Sequence, residues 1–551
     1  MIYWDTDDHP CQFNDEVKKI YDNEIKNNRK QFTSWIGKIS EKFYKYNLDW
    51  HISTPASRNP FVSKLYHNIC TTKTFIKLIK KKVSFRITVY TKKHFNLLND
   101  LKKKNDKVEI IYKEQNIKFL FIKNFLKSLI LQSIILFFVK IFIKKNKISK
   151  NLVLIDYFHI QNNFYNNRYY NEVSSKKFLS NKNIFFVPTF VSGKGFIRTL
   201  INIFKLRHNK KILFKEHFLS FRDLICSYLY FKNLNFFNKK YLKYSKIDFS
   251  NLMYEEIKNN FEINTIILSK LNYYFIKNLY IKDISVKKSI NWFENQQVDK
   301  AWNFAFRKYF KKTLVLGYQG FTLYPQYMCT HPSQNEEKCK TIPEKIIVIG
   351  KAYVQSRKEF FKTAKILVGP ALTFQKIFDT KNSKKKSKNV LLILTGISEI
   401  DKVLINWCIK VAESLKKIKI ILKPHPILPI DNKISHDFPK NVHINNSNLF
   451  KIYPKVRVVI SCGPTSATIE SLAYGLELII PILDVNDELI LDILSSKKKN
   501  IVSVKNEKSL ILQLKKTLEK KTNKYRVKRK DTLIKNYFFN KSSKKNMRLF
   551  C

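Results

Sequence analysis

Acidic residues are scarce. Asp and Glu number 43 against 103 Lys and Arg in 551 residues, a formal net charge of +60. The excess is nearly all Lys and spreads over the whole chain. Nucleic-acid readers concentrate Arg and carry a recognisable module. Neither occurs, so no nucleic-acid partner is expected. An evenly spread Lys excess fits a coding bias towards Lys, Asn, Ile and Phe, and it also fits a surface drawn to the anionic cytoplasmic face of a membrane. No C-x-x-C pair occurs among the eight cysteines. Cys329 and Cys339 flank His331, but a fourth ligand at metal-site spacing is missing. No zinc site is therefore expected, no cofactor is expected either, and the thiols read as reduced and cytosolic. No secretory signal is expected from residues 1–10, which are acidic and polar. No internal repeat is evident. An uninterrupted apolar run of membrane-spanning length is also missing, since Lys123, Lys127 and Lys140 break residues 117–143.

The chain does hold enough apolar residues for real cores, 44%, with 14% aromatic. At this length two domains plus appendages are expected. Short continuous apolar runs at 345–349, 364–368, 390–394, 418–422, 442–444, 456–460 and 478–482 alternate with helical patterns. Such runs signal a parallel α/β sheet and a Rossmann-type domain over 343–505. Runs at 49–52, 84–90, 108–112, 152–155 and 183–187, with helices at 61–80 and 197–204 between them, indicate a second α/β domain over 1–342. Residues 506–551 read as a basic helical tail. The 117–143 segment is amphipathic, with Asn124, Lys127, Ser128, Gln132 and Ser133 near one helical face. It fits an interfacial membrane helix, a buried helix or a span.

Two motifs carry chemistry. The first is Lys423-Pro424-His425-Pro426, just past the carboxyl end of a buried strand, where open α/β sheets bind ligands. The second is the apolar run ending in Ser461-Cys462-Gly463-Pro464-Thr465-Ser466, which turns into a helix carrying Glu470 and closed by Gly475. A strand turning through Gly and hydroxyl residues into a helix start leaves amides open and aims the positive dipole end above the sheet, where phosphate binds. Lys423, His425, Gly463, Thr465 and Ser466 are therefore candidate phosphate ligands, and Glu470 is a candidate acceptor for ribose hydroxyls. The plainer alternatives are a structural His in a proline turn and hydroxyls that only cap. Thr395-Gly396 and Gly369-Pro370 end strands on the same edge.

In the first half, Arg58 and Asn59 lie in a dense polar run, and Arg58 suits bidentate capture of an anion. Glu294, in Trp292-Phe293-Glu294-Asn295-Gln296, is the best general-base candidate, because an apolar setting raises a carboxyl pKa. Its alternative role is to cap the following helix. Gln319 sits at another strand end. Asp5-Thr6-Asp7-Asp8 resembles a metal-binding D-x-D but reads as a polar chain start.

These motifs together resemble a glycosyltransferase of the GT-B fold, two Rossmann-like domains facing a cleft. The His-Pro and Thr-Ser motifs are similar to those of bacterial sialyltransferases, capsule Kdo transferases and glycerophosphotransferases, in which the His and hydroxyls hold the nucleotide phosphate. Most of the chain resembles a bacterial surface-carbohydrate biosynthesis family, through Ser53–Tyr66 (STPASRNPFVSKLY), Trp292–Ala305 (WFENQQVDKAWNFA), Gly317–Gln319 (GYQ) and Ile349–Tyr353 (IGKAY). Gly320 departs from the His or Thr common in that family. The resemblance implies a nucleotide-sugar donor, with a CMP-linked nonulosonic sugar suggested, and a glycan or lipid-linked acceptor. It places the protein in capsule or lipopolysaccharide assembly, peripheral at the inner face of the cytoplasmic membrane. Catalysis would be metal-independent, with Glu294 and His425 in catalytic roles. A CDP-glycerol or ribitol phosphotransferase and a non-catalytic basic scaffold remain the alternatives.

Overall fold

In a computed structural model, the structure describes residues 1–102, 105–114, 117–148, 151–159, 169–170, 173, 183–190, 195–229, 243–258, 262–322, 325, 327–379, 388–426, 428–430, 438–463, 465–494, 501–519 and 534–551. Pro464, most of the 379–388 linker and the Lys/Arg-rich 520–533 stretch lie outside the described residues.

Among the described residues three parallel sheets form, where the sequence implied two. The first holds β1 (Ile2–Asp5), β2 (Phe85–Val89) and β3 (Val108–Tyr112) in that order. The acidic chain start is thus a strand edge: Trp4 is buried, and Asp5 accepts from the Tyr90 hydroxyl at 2.7 Å. The long helix α1 (Asp15–Phe43) begins at an Asn14 cap with Asp15 and Glu16 in its first turn, as the helix dipole favours. Residues 49–52 do not extend. Asn47 caps a helical turn at Leu48–His51, and Trp50 packs inside.

The second sheet contains β4 (Leu152–His159), β5 (Ile184–Phe190), β6 (Val286–Trp292), β7 (Leu314–Gln319), β8 (Lys345–Val348) and β9 (Ile366–Val368), ordered β9-β8-β7-β6-β4-β5. Around it pack α2 (Ile117–Phe142), α3 (Phe196–Leu206), α4 (Phe221–Tyr228), α5 (Ile263–Ile281) and α6 (Gln297–Tyr309). Strands β8 and β9 fall beyond the boundary expected at 343, yet β8 pairs with β7 and β9 with β8. The division between the six-stranded units therefore falls between 368 and 390.

The third sheet holds β10 (Val390–Ile393), β11 (Ile420–Lys423), β12 (Val442–Ile444), β13 (Val458–Ser461), β14 (Glu477–Pro481) and β15 (Ile501–Val504), ordered β12-β11-β10-β13-β14-β15. Alternate residues bury on opposite faces. Val390, Leu392, Ile420, Leu422, Val458 and Ile460 meet α7 (Ser398–Ser414) and α10 (Glu507–Glu519). Leu391, Ile393 and Val459 meet α8 (Ser466–Ala473), and α9 (Val485–Leu494) follows β14. Helices on both faces explain why these strands are apolar throughout. The two Rossmann-like units expected from the sequence are present, each built on a six-stranded sheet.

The expected single tail divides. Helix α10 belongs to the third sheet, while the 534–551 segment returns to the second. There Phe538, Phe539 and Phe550 are fully buried, and Asn540 bonds through its backbone to Ile349 and Ala371 at 2.7 and 2.8 Å.

Candidate functional site

The third sheet reverses its strand order between β10 and β13, the position where open parallel sheets take ligands at their carboxyl ends. Lys423, Ile393 and Ser461 lie in one row across β11, β10 and β13. With neighbouring strands about 4.8 Å apart, the three following loops leave from within about 10 Å.

After β10 comes Gly396, at φ +83°, where a Cβ would stand 2.5 Å from His425 Nδ1. The imidazole is thus seated against a backbone that only glycine supplies. His425 is half-buried, and its carbonyl accepts from Leu428 N at 3.1 Å. Lys423 Nζ donates to the carbonyls of Pro424 and Asn446 at 3.3 and 3.4 Å, and burial lowers its pKa. Asp401, in the first turn of α7, fixes the β10 loop. It accepts from Thr395 N at 2.7 Å, Thr395 Oγ1 at 2.8 Å and Gly396 N at 2.9 Å.

After β13, Gly463 departs from its expected role. Its N–H donates to Asp487 Oδ1, and Asp487 Oδ2 accepts from Leu483 N and Asp484 N at 2.8 and 3.1 Å. A carboxyl already occupies the place expected for phosphate at that amide. Burial, reinforced by Asp484, pushes Asp487 up to about 8. The helix start beyond it differs. Thr465 is the N-cap of α8 and makes no side-chain cap bond; its hydroxyl lies 3.4 Å from Ser461 Oγ and 3.1 Å from Thr468 Oγ1. Ser466 is half-buried at the first helical position. Among the described residues no side chain caps this first turn, in which Thr468 N already donates to the Thr465 carbonyl at 3.1 Å, so its remaining amides rather than that of Gly463 are the candidates for an anion. Glu470 is buried beside Tyr453, whose phenol is raised by burial and then by that carboxylate. It lies deeper than the ribose contact expected of it.

The second sheet reverses between β4 and β6, and Glu294 stands just past β6. Glu294 is half-buried and accepts from Trp292 Nε1 at 2.8 Å, Gln296 Nε2 at 2.6 Å and the Tyr327 hydroxyl at 3.2 Å. It does not cap α6, because Asp299 does so through a reciprocal box with Gln296. Gly320 is required here: a Cβ would fall 2.4 Å from the Trp292 indole. Behind Glu294, Asp299 and Asp156 are fully buried, and Asp299 Oδ1 and Asp156 Oδ2 have no donor among the described residues. Asp299 is pushed well above the carboxylate range by burial, then by Glu294 and Asp156. Asp156 is raised to about 7 by burial, with Lys215 and Thr189 opposing.

Arg58, Asn59 and Gln319 do not reach a ligand surface. Arg58 donates to Glu336 Oε2 at 2.7 Å and to the His331 carbonyl at 3.0 Å. Burial opposes ionisation of Glu336, but Arg58 and Lys300 hold it down at about 2. Asn59 Oδ1 closes a turn on Phe61 N at 3.0 Å. Gln319 joins the Thr330 carbonyl at 2.8 Å to Arg357. All three are nearly inaccessible and hold the scaffold. Asp401, Asp487, Asp299 and Asp156 are the residues the sequence did not single out. Asp401, Asp487 and Asp299 each left a local sign, a carboxylate in the first turn of a helix, whereas Asp156 lies within a strand and left none.

A surface cavity of about 730 Å³ lies elsewhere, lined by Tyr44, Asn47, Asp49, Lys270, Tyr273 and Phe304. It adjoins the later turns of α6, whose first turn follows Glu294, and so is not the strand-end crevice.

No protein-family profile matches the chain, and no curated protein does. Among solved structures, the chain is similar to MurG of Acinetobacter baumannii (TM-score 0.40, 10% identity, 73% of this chain and 98% of that one). It is similar to UGT89C1 of Arabidopsis thaliana complexed with quercetin (0.41, 12%, 73% and 98%). It is also similar to a putative UDP-N-acetylglucosamine 2-epimerase of Listeria monocytogenes (0.40, 8%, 71% and 94%). Likeness this slight carries no argument about chemistry.

Proposed function

We propose that this protein is a GT-B type glycosyltransferase that moves a sugar from a nucleotide donor to a glycan or lipid-linked acceptor during surface polysaccharide or lipopolysaccharide assembly. One observation carries the reading. At the switch point of a Rossmann-type sheet, His425 is seated on Gly396 in the same strand row that leads to the uncapped start of α8. The donor phosphate sits on the α8 amides, Thr465 and Ser466, with His425 and Lys423 supplying donors and charge. These groups stabilise the negative charge that develops on the departing nucleotide, and no metal is required. Glu294, at the other sheet's switch point, takes the proton of the acceptor hydroxyl. That oxygen bonds to the anomeric carbon as the carbon–phosphate-oxygen bond breaks, and the electron pair leaves with the nucleotide. The family resemblance favours a CMP-linked donor. The even positive charge favours work at the inner face of the cytoplasmic membrane.

In cells, His425→Ala combined with Ser466→Ala is expected to abolish glycan synthesis while the protein remains folded and abundant. Unchanged synthesis would favour the basic-scaffold alternative and reject the enzyme.

A further inference from the structure

Helix α2 is turned inside out relative to a water-facing amphipathic helix. Its polar residues Ser128 and Gln132 point inward, where Ser128 Oγ bonds to Asn264 Oδ1 at 3.1 Å and lies 3.2 Å from the Tyr228 hydroxyl. Leu131, Ile135 and Val139 on the same side join the core of the second sheet. The outward stripe is apolar: Ile122, Leu126, Ile130, Phe137 and Ile141 are each at least 50% exposed. At 3.6 residues per turn they fall within roughly 100° of arc. Lys123 and Lys127 flank one side of the stripe and Lys140 the other.

Two neighbouring helices repeat the pattern. On α3, Ile197, Ile201 and Phe204 are exposed while Ile203 and Leu206 are buried. On α4, Phe221 and Ile225 are exposed, and Lys140 of α2 lies 5.9 Å from the Phe221 ring, which joins the surfaces. Exposed Arg198, Lys205 and Arg222 continue the basic border, and Asp223 is the one acid on these helices. A monomer rarely leaves so many large apolar side chains together in water.

We propose that α2, α3 and α4 form one docking face that seats the protein in the headgroup–acyl boundary of an anionic bilayer, with α2 lying along the surface. This deepens the membrane-side reading above and does not depend on the transfer reaction. Helix α2 is long and apolar enough to cross a membrane. Spanning would, however, strip Leu131, Ile135 and Val139 out of the protein core and expose Ser128 and Gln132 to lipid. Lying flat puts the stripe among acyl chains and the lysines among phosphates. A second copy is a poorer occupant, because a two-fold contact would set this basic border against itself.

The test uses the full-length protein with sedimenting vesicles of phosphatidylcholine, with or without phosphatidylglycerol. Binding is expected only to the anionic vesicles and should weaken with salt. Ile130→Glu combined with Phe137→Glu should lower it at least tenfold without lowering the melting temperature. Lys127→Gln and Lys140→Gln should each lower it about five-fold, from about 1 kcal/mol per basic residue. The distant exposed Lys402→Gln should have no effect. Alkaline carbonate should release the protein from native membranes. No binding to anionic vesicles, binding unchanged in the double Glu variant, retention through carbonate, or a stable dimer that this variant dissociates would each overturn the proposal. Nucleotide binding reads out separately, so failure here leaves the transferase reading standing.

Discussion

His425 gains its position from a residue with no side chain. With Gly396 at φ +83° and its missing Cβ 2.5 Å from the ring, any larger residue strains the loop by about 1–3 kcal/mol and displaces the imidazole. Asp401 holds the same loop by three hydrogen bonds. On the other sheet, Asp156 has the opposite energetics. Its folded pKa, near 7, lies above the unfolded value of about 3.9. The folded state therefore holds the proton more tightly. The stabilisation is full below about pH 4 and is lost as pH rises towards 7, by at most about 1.4 kcal/mol per unit. Asp156→Asn removes this dependence. In urea melts from pH 4.5 to 7.5, the stability of the wild type relative to the variant should decline with pH. A difference that stays constant would show that Asp156 does not titrate there.

Among the elements, the strands of the third sheet were legible because their signals are local. Continuous apolar runs end in Gly, Pro or hydroxyl residues, and acidic residues open α7. What sequence could not give was pairing. Strand β8 looks like the opening of a C-terminal domain, and only its bonds to β7 assign it to the other sheet. Ser128 and Gln132 suggested a wet face because their partner Asn264 lies more than 130 residues away. Arg58 resembled an anion clamp because Glu336 is 278 residues distant, and Gly463 a phosphate cradle because Asp487 follows 24 residues later. Distant partners also anchor the chain's end. Phe538 backbone atoms lie within 2.4 Å of where a Gly350 Cβ would be, and the Phe539 ring packs 4.7 Å from Phe374. Phe538→Ala should cost about 3–5 kcal/mol, read as a lower denaturant midpoint. A loss below 1 kcal/mol would mean that the returning segment does not tie the second sheet.

At the scale of the whole molecule, the two six-stranded sheets each reverse strand order once, and each reversal carries one half of the proposed chemistry. Glu294 lies at one, and His425 with the start of α8 at the other. The unit of the small first sheet is joined to the third: His9 Nε2 lies 3.7 Å from Asp484, and Lys26 of α1 pairs with Glu488 of α9. Helix α1 also reaches Glu359 through Arg29 at 2.9 Å, so it bridges both halves. This architecture supports a transferase only if the donor half holds a nucleotide. The most direct measurement is the melting temperature of wild type, His425→Ala and Ser466→Ala with CMP, CDP or UDP. A ligand at 100 times its Kd stabilises by about 2.7 kcal/mol, a shift of several degrees. At least one nucleotide should raise the wild-type melting temperature, and both variants should lose most of that rise. No rise with any nucleotide, or a rise undiminished in both variants, would contradict the account.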